Sequence, residues 1–301
     1  MFSKKYFIIG ALSGFILLLV YIISRPDGKL HIAFCDVGQG DAAYLRMPNG
    51  SDMLIDGGPN DKVLGCLGKN MPFYDHEIDI VVLSHPQKDH LQGLISVLER
   101  YEVKNFIINA AGNESDGYKK LVTLINNKKI PYRNLYTGDY IRIGGVRFDV
   151  LWPEKSWLGL KFQNPTDKIQ IEEGKAVLGM STDTDLNDFS YYLHLKYGEF
   201  DALFTGDGDK RVQPEIMTTA VLGDIEVLKF PHHGSKNGVT GEFLDKVKPE
   251  AAVISVGKNP WGHPTVEALK LLTERGINVY RTDTDGEIDI DSDGRDWQIR
   301  K

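Results

Sequence analysis

The sequence predicts an α/β (α+β) domain in which two β-sheets pack face to face and helices cover both outer faces, an αββα sandwich. Three observations carry that expectation. The stretch after residue 29 falls into two halves, each running through several strand-like segments and then alternating strand with helix. Runs such as Ile80-Val81-Val82-Leu83 are apolar at every position, the pattern of a strand buried on both sides. No repeat and no Pro/Gly/Ser-rich linker interrupts the body, so 30–301 reads as one domain.

The first 29 residues stand apart. Lys4 and Lys5 precede nineteen uncharged residues, Tyr6 to Ser24, and Arg25 closes the run. At a rise of about 1.5 Å per residue the run covers about 28 Å, close to the ~30 Å of a hydrocarbon core. A cleaved signal peptide has a shorter apolar region and ends in a small-x-small site, which Tyr21-Ile22-Ile23-Ser24-Arg25-Pro26 does not offer. The expectation is one transmembrane anchor over 1–29, with the body outside the cytoplasmic membrane. Cleavage would make the body a secreted protein.

After the Arg25-Pro26-Asp27-Gly28 break, Leu30 to Asp36 reads as a strand, Gly38-Gln39-Gly40-Asp41 as a turn and Ala42 to Met47 as the return strand. Asp52 to Ile55 follows as a third strand. Next comes Ile80 to Leu83, stopping at Ser84-His85, then a helix over Leu91 to Glu99 and a strand over Val103 to Asn109. Tyr118 to Lys128 is an amphipathic helix, and Ile141 to Leu151 a hairpin about Gly144-Gly145. A long polar stretch to about Asn187 reads as an excursion from the fold. Strands are expected at Tyr191 to Tyr197, Asp201 to Phe204, Ile225 to Phe230 and Ala251 to Val256, with helices at Gln213 to Leu222 and Thr265 to Glu274. Val279 to Arg281, Glu287 to Ile290 and Trp297 to Arg300 are short strands. Asp289 to Gly294 imitates the start of an EF-hand loop, but its twelfth position is Arg300, so a hairpin is expected there.

Composition narrows the function. With 42% hydrophobic residues, the 301-residue chain can bury a large core, and two cysteines cannot build a cysteine-rich scaffold or zinc site. Cys35 and Cys66 can pair in an oxidising compartment or remain two buried thiols. Without residues 1–29 the body keeps 31 basic and 41 acidic residues, a charge of −10, which argues against coating nucleic acid by bulk charge.

Chemistry concentrates at strand ends. His85-Pro86-Gln87-Lys88-Asp89-His90 follows the buried strand, Asp207 ends another, His232-His233 a third, and His263 follows the fourth after a short loop. Imidazole and carboxylate are the ligands a divalent ion takes when no thiolate is offered, and loops at one sheet edge can gather them. His194, inside a strand, is expected to be structural.

The chain resembles the metallo-β-lactamase superfamily, and within it the extracytoplasmic hydrolase domain of ComEC-like competence proteins. The matching strings are Asp36-Val37-Gly38-Gln39-Gly40-Asp41-Ala42, Leu54-Ile55-Asp56-Gly57-Gly58, Leu83-Ser84-His85-Pro86 through Asp89-His90, Phe204-Thr205-Gly206-Asp207, Pro231-His232-His233-Gly234-Ser235 and Gly262-His263-Pro264. They stand in family order over roughly 30–293.

The resemblance implies a metal site at one edge of the sandwich. His85, Asp89 and His90 match its His-x-His-x-Asp-His motif, with Gln87 in place of the second histidine. Asp207 matches the aspartate that can bridge two metals, and His232 or His233 the late histidine. Asp89, His90, Asp207 and His233 thus make one full ligand set. The other site keeps His85 and Asp207, with Gln87 and Asn187 offering amide oxygen. One firmly held Zn²⁺ or Mn²⁺ and a weak or absent second ion are expected. Asp56 is expected to hold a ligand imidazole. Asp36, Gly38, Gly40 and Asp41 shape a turn nearby. His263 stands beside the metal shell as proton donor and phosphate partner, or completes that shell, and Ser235, Lys236 and Lys258 are candidates to contact substrate.

The resulting expectation is a metal-dependent hydrolase using a metal-activated water, oriented by Asp89, on a phosphodiester such as DNA. The alternatives are lactone, ester or lactam hydrolysis on the same fold, and a non-catalytic, metal-stabilised module that binds DNA or a membrane partner. The polytopic channel of ComEC proteins has no counterpart in the sequence, so a free-standing anchored nuclease or phosphodiesterase is the expectation, with a role in DNA uptake implied by the resemblance alone.

Overall fold

A computed structural model describes residues 6, 8–15, 25–162 and 176–301. Fifteen strands form two sheets among the described residues. β1 (Leu30–Phe34), β2 (Ala43–Arg46), β3 (Asp52–Ile55), β4 (Glu77–Leu83), β5 (Glu102–Ile108), β6 (Tyr132–Arg133), β14 (Ile288–Ser292) and β15 (Trp297–Arg300) build one, in the order β15-β14-β1-β2-β3-β4-β5-β6. The other contains β7 (Tyr140–Ile143), β8 (Val146–Trp152), β9 (Tyr192–Tyr197), β10 (Phe200–Phe204), β11 (Val227–Lys229), β12 (Ala251–Ile254) and β13 (Asn278–Arg281), in the order β13-β12-β11-β10-β9-β8-β7.

The sheets pack on each other, and helices cover the far side of each, so most strands bury both faces. Alternation then sorts side chains between layers rather than between core and water. Along β1, Ile32 and Phe34 enter the inter-sheet core while Ala33 faces the helices; along β10, Phe200, Ala202 and Phe204 enter it while Leu203 faces the helices of its own side. Phe34 stacks on Phe204 across the sheets at 5.8 Å. The helix-side core of the first sheet lies under α1 (Val63–Asn70), α2 (Lys88–Arg100) and α3 (Asp116–Asn127). After α4 (Lys155–Lys161), the second sheet is covered by α5 (Gln213–Thr219), α6 (Gly241–Val247) and α7 (Val266–Thr273).

Parallel pairing aims the chemistry. β3, β4 and β5 run parallel in one sheet, and β10, β11, β12 and β13 in the other. The loops leaving β3, β4, β10, β11 and β12 carry Asp56, His85, Asp207, His233 and Ser255 to a common edge. A ligand site is expected there, beyond the carboxyl ends of parallel strands.

The strand expectations hold to within a few residues. β14 and β15 pair antiparallel over the EF-hand imitation. Three features differ. α1 and α6 were not expected; both are short, and packing rather than length holds them. The polar stretch before Asn187 folds back: α4 lies within it, Ala111 bridges Met180, and Phe162 and Val177 join Phe189 in a small core. Residues 163–175 of that stretch lie outside the described residues. Cys35 and Cys66 form a disulfide with Cα atoms 5.7 Å apart, tying the end of β1 to α1. Among the described residues no helix is long and apolar enough to cross a membrane, and most of the Tyr6 to Ser24 run lies outside them.

Candidate metal centre

The turn from β4 into α2 places Asp89 and His90 in the first helical turn, where a carboxylate complements the helix dipole. α2 is pressed onto the loop after β3: a Cβ on Gly93 would lie 1.9 Å from the Gly57 carbonyl oxygen. That contact sets Asp56 against His90. The Asp56 carboxylate accepts hydrogen bonds from the Ser84 N–H (2.7 Å), the Ser84 hydroxyl (2.7 Å) and His90 Nδ1 (2.9 Å). With Nδ1 bound, His90 directs Nε2 toward Asp207 Oδ2 at 3.3 Å. Asp56 has φ 61°, a left-handed conformation a non-glycine residue adopts only under tertiary constraint.

The β11 loop acts in the same way. His232 and His233 both lie in the left-handed region, φ 52° and 53°, costing of order 1–3 kcal/mol each. This turns His233 inward, where Nδ1 donates to the Ser255 carbonyl (2.8 Å) and Nε2 meets Asp207 Oδ2 (3.2 Å) and Asp89 Oδ2 (3.3 Å). Asp207 is fixed through its own N–H, which donates to the Ser190 hydroxyl (3.1 Å).

Asp89, His90, Asp207 and His233 therefore offer four ligand atoms within 4.8 Å of one another, from α2 and the loops after β10 and β11. His90 Nε2, Asp207 Oδ1 and His85 Nε2 are buried without hydrogen-bond partners, which native interiors rarely tolerate and a cation would satisfy. The His90 and His233 imidazoles both have Nδ1 tied down and Nε2 directed inward, the arrangement that fixes a metal-binding tautomer. The residues fit a divalent ion.

Protonation shifts agree with that fit. Burial alone would lower His90 and His233, but the Asp207 carboxylate, with Asp56 on one ring and Asp41 on the other, lifts both well above the ordinary histidine value. Burial would raise Asp207, yet the same two imidazoles take it well below the usual carboxylate range. Asp89 is pulled down to about 2 against burial by His233 and His90. Protons thus occupy positions that a metal would take over on binding. His85 behaves differently: burial and its neighbour His90 push it down to about 3, leaving a neutral ring 4.1 Å from that of His90.

Two site residues escaped the sequence reading. Asp41, expected to shape a turn, is buried, pairs with the Lys229 ammonium, and lies 3.4 Å from His233 Nδ1 and 3.8 Å from His90 Nδ1. Lys229, only 4% exposed, also donates to the Gly206 carbonyl (3.0 Å) and stands 3.9 Å from Asp207 Oδ1. A lysine inside the otherwise apolar Val227-Leu228-Lys229-Phe230 run was the available signal, since lysine is rarely buried unpaired.

The remaining candidates are more peripheral. His232 points away from the four-atom cluster, its ring 5.7 Å from that of His263, so of the histidine pair it is His233 that joins the cluster. His263 is half-buried, and its pKa is lowered by burial, His232 and His233. Gln87 precedes α2 without capping it, and Asn187 Oδ1 is buried without a partner. Ser235 is buried, its hydroxyl accepting from the Asn237 N–H, so it stiffens its loop; Lys236 and Lys258 are exposed. His194 pairs with Asp201 on β10, as befits a structural residue.

Fold and donor cluster together resemble a metallo-β-lactamase-type sandwich. No family model matches the chain. The chain is 25% identical over 303 residues to ComE operon protein 3 of Bacillus subtilis, covering 95% of this chain and 36% of that protein. It is 26% identical over 284 residues to Recombination protein 2 of Haemophilus influenzae, covering 92% and 30% respectively. The chain spans about a third of the length of these relatives. Among solved structures, the diiron β-hydroxylase CmlA of Streptomyces venezuelae superposes with a TM-score of 0.51 at 13% identity, over 86% of this chain and 53% of CmlA. The metallo-β-lactamase fold protein YhfI of Bacillus subtilis gives 0.48 at 12% identity, over 84% and 95%. The resemblance is thus to the ComEC-like branch of the metallo-β-lactamase superfamily.

Proposed function

We propose that the chain is a metal-dependent phosphodiesterase, acting on DNA or another phosphodiester outside the cytoplasmic membrane. The observation that carries this reading is the convergence of Asp89, His90, Asp207 and His233, with both ligand imidazoles directed by Asp56 and the Ser255 carbonyl. Asp89, His90, Asp207 and His233 would hold a divalent ion there, which would supply Lewis acidity to a water and to a phosphoryl oxygen.

The chain's own residues do the rest. Asp89, with 29% of its side chain exposed, is the most open member of the group and accepts a hydrogen bond from the attacking water, orienting it. Asp207, Asp41 and Lys229 are buried and hold the geometry against water. His263, its pKa below the ordinary value, is a neutral imidazole at pH 7 and presents a ring N–H to a phosphate oxygen beside the cluster. Lys236 and Lys258 contribute exposed positive charge on adjoining loops.

The Cys35–Cys66 bond supports placement in an oxidising compartment, and residues 1–29 supply the anchor in this reading. The competence relatives support a part in DNA uptake. The full chain, supplied with Mn²⁺ or Zn²⁺, is expected to hydrolyse bis(p-nitrophenyl) phosphate and linear DNA, and Asp89→Ala to abolish both activities. Binding of DNA undiminished by Asp89→Ala, without turnover of either substrate by the parent chain, would overturn catalysis in favour of a binding module. Release of the chain from membranes by alkaline carbonate would overturn the anchor.

A further inference from the structure

We propose that Trp261 is a stacking platform for a nucleobase, so that the site acts on nucleic acid with unpaired bases. The proposal rests on the phosphodiesterase reading and names its substrate more narrowly. Trp261 is 65% exposed on the loop between β12 and α7. An exposed indole is expensive in water, yet this one is held firmly. Asn259 Oδ1 accepts from the N–H groups of Trp261 (3.1 Å) and His263 (3.0 Å), and its Nδ2 donates to the carbonyls of Gly257 and His263, both at 2.8 Å. The loop is also pinned at its start, where the Gly257 N–H donates to Gln39 Oε1 (3.2 Å) and a Cβ on Gly257 would lie 2.5 Å from the Gly38 carbonyl carbon.

A line of rings joins the indole to the donor cluster. Trp261 lies 6.4 Å from His263, His263 lies 5.7 Å from His232, and His232 lies 6.3 Å from His233. The indole is therefore within the span of a short oligonucleotide whose phosphodiester sits at the cluster. The rings of His232 and His263 are each only partly buried along this line, so both border the path of the sugar-phosphate between. Exposed Lys236 and Lys258 belong to the same two loops, so cationic side chains stand with an aromatic face, the pairing by which proteins bind single strands without sequence preference. In a duplex the faces of the bases are already stacked, so Trp261 discriminates toward single strands, frayed ends and nucleotide esters. A preformed platform also spares the ordering cost of a mobile loop.

The test compares full-length parent, Trp261→Ala and Trp261→Phe on two esters with the same leaving group, thymidine 5′-(p-nitrophenyl phosphate) and methyl p-nitrophenyl phosphate. Trp261→Ala is expected to raise KM for the thymidine ester about tenfold, or about 1.4 kcal/mol, with kcat kept. The methyl ester should be unaffected, and Trp261→Phe should retain most of the effect. Equal losses on both esters would mark Trp261 as merely structural and overturn the proposal, as would no loss on either. A parent without turnover would defeat the phosphodiesterase reading, and binding then decides the platform. The parent should bind a fluorescent oligothymidylate more tightly than an abasic oligonucleotide of equal length, and Trp261→Ala should erase the difference. Equal binding of the two by the parent would overturn the proposal.

Discussion

Replacing Lys229 with methionine keeps the apolar stem of the side chain and removes its ammonium group, and with it the hydrogen bond to the Gly206 carbonyl. In the folded chain that ammonium is 4% exposed and is paired with Asp41, itself 4% exposed. Burial pushes Asp41 toward protonation, and Lys229 is the main group opposing it, followed by His233; the net result is a carboxylate below its usual range. Lys229→Met would leave this carboxylate with only His233 and His90, which are also needed by Asp207 and Asp89. Removing one partner of a buried pair costs about 3–5 kcal/mol, and at about 2–4 °C per kcal/mol for a chain of this size, Tm should fall by roughly 6–20 °C. Urea denaturation with a chelator present isolates this cost from metal binding. A double-mutant cycle with Asp41→Asn should return a coupling of about 2 kcal/mol or more, because the neutral pair no longer strands a charge. A loss below about 1 kcal/mol for Lys229→Met, or zero coupling, would show that the pair does not hold the site together.

Other perturbations reach different parts of the structure. Asp52 is raised from its ordinary 3.8 to about 7, first by burial and then by the charge of Asp75; its contribution to stability is therefore fully present below about 3.8 and is lost as pH rises through about 7. Asp52→Asn should gain on the parent across that window, by about 1–3 kcal/mol at pH 8, and equal urea midpoints at pH 8 would refute the burial argument. The Cys35–Cys66 bond closes a sequence separation of 31, so Cys66→Ser or reductant should cost about 3–4 kcal/mol; melting curves unchanged by reductant would contradict it. Gly93→Ala places a Cβ 1.9 Å from the Gly57 carbonyl oxygen and 2.5 Å from that of Asn60, pushing α2 off the β3 loop. Metal affinity, read by titration, should fall with stability, because Asp89 and His90 move with the helix; unchanged affinity would separate the packing from the site.

What the sequence revealed and what it hid have physical causes. β4 and β10 were legible because sheets buried on both faces need continuous apolar runs, and Ser84-His85 and Thr205-Gly206-Asp207 end those runs abruptly. The clustering of Asp89, His90, Asp207 and His233 was legible as motif strings. The choice between His232 and His233 was not, since it depends on two successive left-handed residues that turn one ring inward and the other out. Asp41 and Lys229 were hidden by distance in sequence: each reads as a local feature, a turn and a strand residue, until the two sheets bring them into contact. α6 did carry a local sign, Thr240, whose hydroxyl accepts from the Phe243 N–H as an N-cap, but seven residues are too few for a clear period. The disulfide was open because two cysteines 31 positions apart say nothing about the Cα separation of 5.7 Å that the fold creates.

The central claim is that one divalent ion, held by Asp89, His90, Asp207 and His233, performs phosphodiester hydrolysis. Its most direct test is metal titration of the full-length, chelator-stripped chain, with bound metal and bis(p-nitrophenyl) phosphate turnover read from the same samples. One tightly bound Zn²⁺ or Mn²⁺ per chain is expected, with turnover rising in step with its occupancy and both lost in Asp207→Ala. Metal retained by Asp207→Ala, or an occupied site in the parent chain whose filling brings no hydrolysis, would contradict the claim.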